Sequence, residues 1–66
     1  MSIEPGQYRD YRGAVVEVEG LALHALTEES VVVYRDDRRK LLVAPLTYFN
    51  EMVDLGRKRV PRFVRV

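Results

Sequence analysis

The sequence contains one histidine, His24, the residue type best suited to proton transfer at neutral pH or to ligand contact. A nucleophilic mechanism would need a hydroxyl beside it, and Thr27 and Ser30 are close only along the chain. The strand pattern places Ala22 and Leu26 on the same face as His24, which favours a structural histidine. We therefore expect a protein that is not an enzyme.

The acidic residues offer no catalytic geometry either. Glu28 and Glu29 are adjacent and would point to opposite faces of an extended chain, whereas Glu17 and Glu19 share a face that is typical of a solvated surface. With no cysteine and a single histidine, the chain has neither a disulfide, a thiolate zinc site nor a histidine cluster. It also lacks a glycine-rich phosphate loop. We predict no catalytic residues, no metal and no cofactor.

Tyrosine and arginine make up the most informative set of side chains, because both residue types are enriched in binding hot spots. A structural alternative stays open, in which the tyrosines pack on the domain and the arginines pair with Glu28, Glu29 and Glu51. Phe63 is expected in the core. The candidate ligand-binding or partner-binding residues are Tyr8, Arg9, Tyr11, His24, Tyr34, Arg35 and Arg62.

Charge is unevenly distributed along the chain, although the net charge is only +1. Residues 1–30 carry two arginines and six acidic residues, while residues 57–66 carry five basic residues and no acidic one. A basic segment can contact nucleic acid, but the pI of about 8.1 lies below the value expected of such proteins. The simpler interpretation is that the last strand pairs with acidic strands of the same domain. The nucleic-acid alternative rests on Arg38, Arg39, Lys40, Arg57, Lys58, Arg59 and Arg65.

The length of 66 residues fits one small domain over residues 1–66, with residues 1–5 as a loose N-terminal extension. The hydrophobic fraction of 47% argues against disorder. No stretch approaches the ~18 apolar residues of a membrane span, so we expect a cytoplasmic protein with no membrane partner. Without disulfide or metal, packing or a second copy must stabilise the fold, and we expect a monomer or weak homodimer.

Strand patterns dominate the chain. Period-two alternation, β-branched runs and turn residues predict strands over residues 8–12, 14–19, 21–26, 30–35, 40–44 and 60–66. Residues 46–52 follow a proline with helical spacing and predict at most one or two helical turns. The predicted fold is all-β, a small SH3-like barrel or roll of five or six short antiparallel strands.

The order of these residues resembles a bacterial domain-of-unknown-function family, DUF1653, from residue 6 to residue 66. The resemblance is carried by Gly6-x-Tyr8-Arg9-x-Tyr11-Arg12-Gly13, Val16-x-Val18-x-Gly20-x-Ala22-x-His24, Val32-Val33-Tyr34-Arg35, Val43-x-Pro45-x-x-x-Phe49-x-Glu51, and Gly56 before Pro61-Arg62-Phe63. It implies an SH3-like barrel or roll and implies no function.

The sequence departs from the usual family pattern at three places. Asp10 replaces a common histidine, Ala25-Leu26-Thr27 replaces a Ser-Glu-Thr run, and residues 36–40 are more charged than usual. Chemistry that depended on that histidine or serine is not expected here.

Three functions follow from these observations. The first is a binding module for an extended peptide or another protein, since tyrosines line the peptide groove of SH3-like barrels. The second is a nucleic-acid contact through the basic residues. The third is a small enzyme or enzyme subunit centred on His24.

Overall fold

A computed structural model describes residues 3–66 of the chain, which form seven strands and one helical turn. The elements in chain order are β1 (Gly6–Asp10), β2 (Val15–Leu23), β3 (Ser30–Arg35), β4 (Leu41–Pro45), α1 (Leu46–Phe49), β5 (Met52–Asp54), β6 (Arg59–Pro61) and β7 (Phe63–Arg65). Every strand pairing is antiparallel. The prediction of a small all-β fold is confirmed, with seven strands in place of five or six.

The strands form a five-stranded sheet in the order β4-β3-β2-β1-β7 and a separate hairpin of β5 and β6. Within residues 3–66 no ladder joins the end strands β4 and β7, and α1 packs against β3 and β4. Full SH3-like closure therefore stays a prediction. In the same part of the chain, no helix is long and apolar enough to cross a membrane.

The predicted strands over 14–19 and 21–26 are one strand that passes through Gly20. The β2–β3 register shifts between Val18 and Gly20, so the extra residue forms a bulge and the strand continues. Strand β2 ends at Leu23, and a turn closed by the His24 amide donating to the Glu29 carbonyl follows. The prediction of a strand to residue 26 was wrong, because this turn uses the backbone groups that a strand would need.

The second half of the chain differs more from the predicted elements. One helical turn follows Pro45, as its spacing predicted. Residues 52–54, which carry no strong strand signal, form β5 by pairing with β6. The predicted strand over 60–66 is divided at Arg62, so that β6 belongs to the hairpin and β7 to the large sheet.

The core lies on one face of the five-stranded sheet, under α1. Alternation along β2 buries Val16 and Val18, as the period-two pattern predicts. Ile3, Tyr34, Ala44, Tyr48 and Phe63 pack around the core as partly buried residues. Residues 1 and 2 of the N-terminal segment lie outside the described residues. The buried cluster is Tyr8, Val16, Val18, Val32, Leu46 and Phe49.

We expect Val32→Ala to lower the free energy of unfolding by about 1–3 kcal/mol, because Val32 is 0% exposed and the variant leaves a cavity. Val43→Ala deletes the same atoms from the neighbouring strand, where the side chain is 63% exposed. That control should change stability by no more than about 0.5 kcal/mol. Urea unfolding of both variants measures the difference, and equal effects would contradict the described core.

Candidate functional site

Arg62 lies at the corner where the chain leaves the β5–β6 hairpin and enters the large sheet. Its backbone amide donates to the Glu51 carbonyl at 2.8 Å, and its carbonyl accepts from the Tyr11 amide at 3.0 Å. These two bonds connect the segment before β5 to the loop after β1. The corner therefore fixes how the hairpin sits against the sheet.

The Arg62 side chain is held on three sides and is only 22% exposed. Its Nη2 donates to Glu51 Oε1 at 2.7 Å, and the guanidinium carbon lies 4.7 Å from the centre of the Tyr48 ring and 5.7 Å from that of Tyr11. Both distances fit cation–π contacts. The hydrogen bond to Glu51 raises the pKa of Arg62, with burial acting in the opposite direction. Arg62 is therefore a permanent charge that orders two tyrosines.

Four aromatic rings continue from this corner into the core. Phe49 and Phe63 are stacked, with centroids 4.2 Å apart and an angle of 14° between their planes. Tyr34 contacts Phe49 edge-on at 5.1 Å, and Tyr48 contacts Phe63 in the same way at 5.8 Å. Each ring is thus fixed by a neighbouring ring, which favours a rigid surface where they reach solvent.

The rings of Tyr34, Tyr48 and Phe63 reach the surface together in a cavity of about 260 Å³, which we call the aromatic groove. Val16 and Leu42 add apolar surface to it. Its remaining lining residues are Asp10, Arg12, Ala14, Asp36 and Asp37.

Two loops form the charged rim of the aromatic groove, and an aspartate caps each of them. Asp10 Oδ1 accepts the Arg12 and Ala14 amides at 2.9 Å, and Asp36 Oδ1 accepts the amides of residues 38 and 40 at 2.9 Å. These are the backbone contacts expected of turn-forming aspartates. Asp37 is exposed and makes no described ion pair. With three carboxylates and only Arg12 as a cation, the rim is negatively charged.

The structure brings together some of the predicted partner-binding residues. Tyr34 lines the aromatic groove, while Tyr11 and Arg62 lie behind its Tyr48 wall. Arg9 lies with Tyr11 in another cavity, of about 250 Å³, between β1 and the C-terminal strand.

Three further predicted residues have local structural contacts outside this groove. The Tyr8 ring is buried, and its hydroxyl donates to the Glu4 carbonyl at 2.8 Å. Arg35 pairs with Glu19 at 3.5 Å across two neighbouring strands. His24 Nδ1 accepts the amides of residues 26 and 27 at 3.2 and 3.3 Å, so it organises the β2–β3 turn.

Tyr48 is one of the groove residues that were not among the candidate binding residues; the others include Phe63, which was expected in the core, and the three rim aspartates. The helical spacing of residues 46, 49 and 53 indicated a buried face, and Tyr48 lies off that pattern. A tyrosine on the exposed side of a short helical turn after Pro45 was the available signal.

The basic residues of the nucleic-acid alternative are divided in the structure. Arg39 pairs with Glu17 at 3.7 Å, and Arg65 of the last strand pairs with Glu4, which precedes β1, at 2.8 Å. No group of three or more histidine or acidic side chains suited to a metal occurs among residues 3–66. Across those residues no ion pair is found for Arg38, Lys40, Arg57, Lys58 and Arg59.

Comparison with known proteins gives one family and one similar structure. A family model described as a protein of unknown function, DUF1653, matches residues 6–65. A crystal structure of a DUF1653 protein from Bordetella bronchiseptica is similar, with 37% sequence identity and a TM-score of 0.86, over 97% of this chain and 87% of that one. The search of curated proteins found no match.

The pKa of Tyr34 reports on the groove. Burial raises this pKa most, and the nearby Tyr48 and Asp36 raise it further. The difference in tyrosinate absorbance between wild type and Tyr34→Phe should therefore titrate above the ordinary pKa of about 10. Asp36→Asn keeps the loop-capping oxygen and removes the charge, so it should lower that midpoint.

The pKa of Tyr34 is higher in the folded protein than in the unfolded chain. Tyr34 therefore contributes its full stabilisation at pH values below the unfolded pKa, and this contribution is lost as the pH rises through the folded pKa. A midpoint for Tyr34 at or below that of an exposed tyrosine would contradict the described groove.

Proposed function

The chain belongs to the DUF1653 family, described as proteins of unknown function, and we propose that it is a non-catalytic binding module whose aromatic groove holds an extended peptide of a protein partner. The observation that carries the proposal is the convergence of Tyr34, Tyr48 and Phe63 in one groove. Aromatic side chains offer a large contact area at small entropic cost, and three of them together form the kind of cluster found at binding hot spots.

An extended peptide fits this groove better than a compact small molecule. The volume of about 260 Å³ is below the usual range for drug-sized ligands, which begins near 300 Å³. Grooves walled by aromatic rings bind proline-rich segments in the polyproline II conformation, because that conformation loses little entropy on binding. The apolar residues of such a segment would contact the rings of Tyr34, Tyr48 and Phe63.

The charge of the rim selects for a basic peptide. Asp37 makes no described ion pair. The Oδ1 atoms of Asp10 and Asp36 accept loop amides, and Asp10 Oδ2 lies 3.7 Å from Arg12 Nη2. An arginine or lysine of the ligand would meet this negative rim, and such complementarity speeds association and rejects acidic partners. The proposed ligand therefore combines apolar or proline residues with a flanking cation.

The position of His24 supports a binding role over catalysis. Its Nδ1 accepts two amide hydrogens within a turn, and His24 is not among the lining residues of the aromatic groove. As part of the same proposal, we place this binding function in the cytoplasm, on the sequence features given above.

Nucleic-acid binding is the second candidate, and one observation favours it. Arg57, Lys58 and Arg59 lie at the turn and second strand of the β5–β6 hairpin without a described ion pair. Exposed cations without an ion pair suit phosphate contacts. The negative rim makes the aromatic groove unsuitable for the same ligand, so the two candidates use different surfaces.

The proposal is tested by selecting peptides from a displayed random library with the wild-type protein and counter-selecting with a Tyr48→Leu variant. We expect enrichment of sequences with apolar or proline residues beside an arginine or lysine. An enriched peptide, labelled with a fluorophore, should bind Tyr48→Leu roughly tenfold or more weakly, since a central aromatic contact is lost. Circular dichroism verifies that the variant is folded.

Two matched charge variants test the role of the rim. Asp37→Asn should weaken the enriched peptide by roughly two- to fivefold at low salt, with a smaller effect at high salt. Glu29→Gln removes one negative charge from the β2–β3 turn and should leave binding unchanged. Equal effects of the two variants, or enrichment of acidic peptides, would contradict the proposed groove.

The alternative predicts a different set of results. A single-stranded oligonucleotide would bind with a steep salt dependence and would be lost in an Arg57→Gln, Lys58→Gln, Arg59→Gln variant. Oligonucleotide binding without any peptide enrichment would reject the peptide groove and support nucleic-acid binding by the β5–β6 hairpin.

A further inference from the structure

A larger cavity, of about 380 Å³, shares Phe63 with the aromatic groove and is named the Arg65 cavity. Three rings, those of Tyr8, Phe49 and Phe63, give it an aromatic lining. The other lining residues are Ile3, Glu4, Asn50 and Arg65. It therefore combines aromatic side chains with a guanidinium group in an open cavity.

The fold positions Arg65 for this cavity. Arg65 is paired with Tyr8 in the β1–β7 ladder, so its side chain lies on the same face of the sheet as the buried Tyr8 ring. Gly6 lies two residues before Tyr8 on that face, and a Cβ atom there would be only 3.1 Å from Arg65 Nη2. Because Gly6 has no side chain, the Arg65 guanidinium has room to lie against β1 at this position.

A carboxylate of the chain itself occupies one side of this guanidinium. Glu4 Oε2 lies 2.8 Å from Arg65 Nη1, with the two side chains 79% and 51% exposed. The Tyr8 hydroxyl holds the Glu4 backbone through its carbonyl, so the Glu4 side chain can leave without moving the main chain. Exposed ion pairs of this kind contribute little to stability, and Glu4 is readily displaced.

We propose that the Arg65 cavity binds a small monocarboxylate with an aromatic or aliphatic body, and that its carboxylate replaces that of Glu4 on Arg65. A cavity of about 380 Å³ lies in the range of small-ligand sites, which join apolar walls to a few polar groups. Arginine offers paired N–H donors that match the geometry of a carboxylate. The three rings would contact the apolar body, and Glu4 would act as an internal competitor. The site does not depend on peptide binding in the aromatic groove.

The test follows the amide resonances of the ¹⁵N-labelled protein during titration with 3-phenylpropionate. The uncharged 3-phenylpropionamide, which has the same body, is the matched control ligand. We expect saturable shifts at residues around Tyr8 and Arg65 with the acid and at least tenfold weaker binding of the amide.

Two variants identify the residues responsible. Glu4→Gln should bind the acid roughly two- to fivefold more tightly, because the competing carboxylate is gone. Arg65→Met should bind at least tenfold more weakly. The groove variant Asp37→Asn should bind the acid like wild type, which separates this site from the peptide site.

Equal binding of acid and amide, absence of saturable shifts, or an unchanged affinity in Glu4→Gln would each overturn the proposal. The ligand comparison and the Glu4→Gln variant decide the question even if Arg65→Met fails to fold. Failure of peptide selection with retention of saturable acid binding would reject the aromatic groove alone, and absence of acid binding with normal peptide selection would reject the Arg65 cavity alone.

Discussion

The ion pair between Arg62 and Glu51 is the interaction on which the rest of the structure depends. Shielding a guanidinium from water is costly unless its N–H groups are satisfied. The Arg62 side chain is only 22% exposed, and Glu51 accepts from its Nη2 at 2.7 Å, whereas the buried Nε has no hydrogen-bond partner among the described residues. The backbone groups of Arg62 bind Glu51 and Tyr11 at the same corner. Removing the Glu51 charge would leave the guanidinium without its carboxylate partner beside the rings, whereas Glu51 itself is 51% exposed. The ion pair and the two backbone bonds together hold the β5–β6 hairpin on the sheet.

The Arg62 corner positions one wall of the aromatic groove. Arg62 holds Tyr48 from one side, and the stacked rings of Phe49 and Phe63 hold it from the other. The opposite rim is set by aspartates that cap their own loops through backbone amides. Both walls are therefore ordered before any ligand binds, which reduces the entropic cost of binding.

The sequence predicts features that depend on neighbouring residues well, and features that depend on contacts between residues far apart in the chain poorly. Alternation in β2 placed Val16 and Val18 on one face of a half-buried strand, and the β-branched run over residues 31–33 predicted strand β3, because each signal lies within a few residues. Strand β5 was missed because three residues carry no pattern and become a strand only by pairing with β6. The break at Arg62 depends on bonds to Glu51 and Tyr11, which are far apart in sequence. Tyr8 could not be assigned to core or surface, since a tyrosine suits both.

The fold brings basic residues of the C-terminal segment next to acidic residues from other parts of the chain. The basic C-terminal segment supplies Arg62 and Arg65, and their partners Glu51 and Glu4 come from other parts of the chain. The two cavities that meet at Phe63 differ in the charges of their lining residues: the aromatic groove has three aspartates and one arginine, and the Arg65 cavity has Arg65 with its partner Glu4. The two proposed ligands, a basic peptide and a monocarboxylate, therefore differ in the sign of their charge. Because Phe63 lines both cavities and is stacked on Phe49, a ligand that displaced its ring in one cavity would alter the wall of the other.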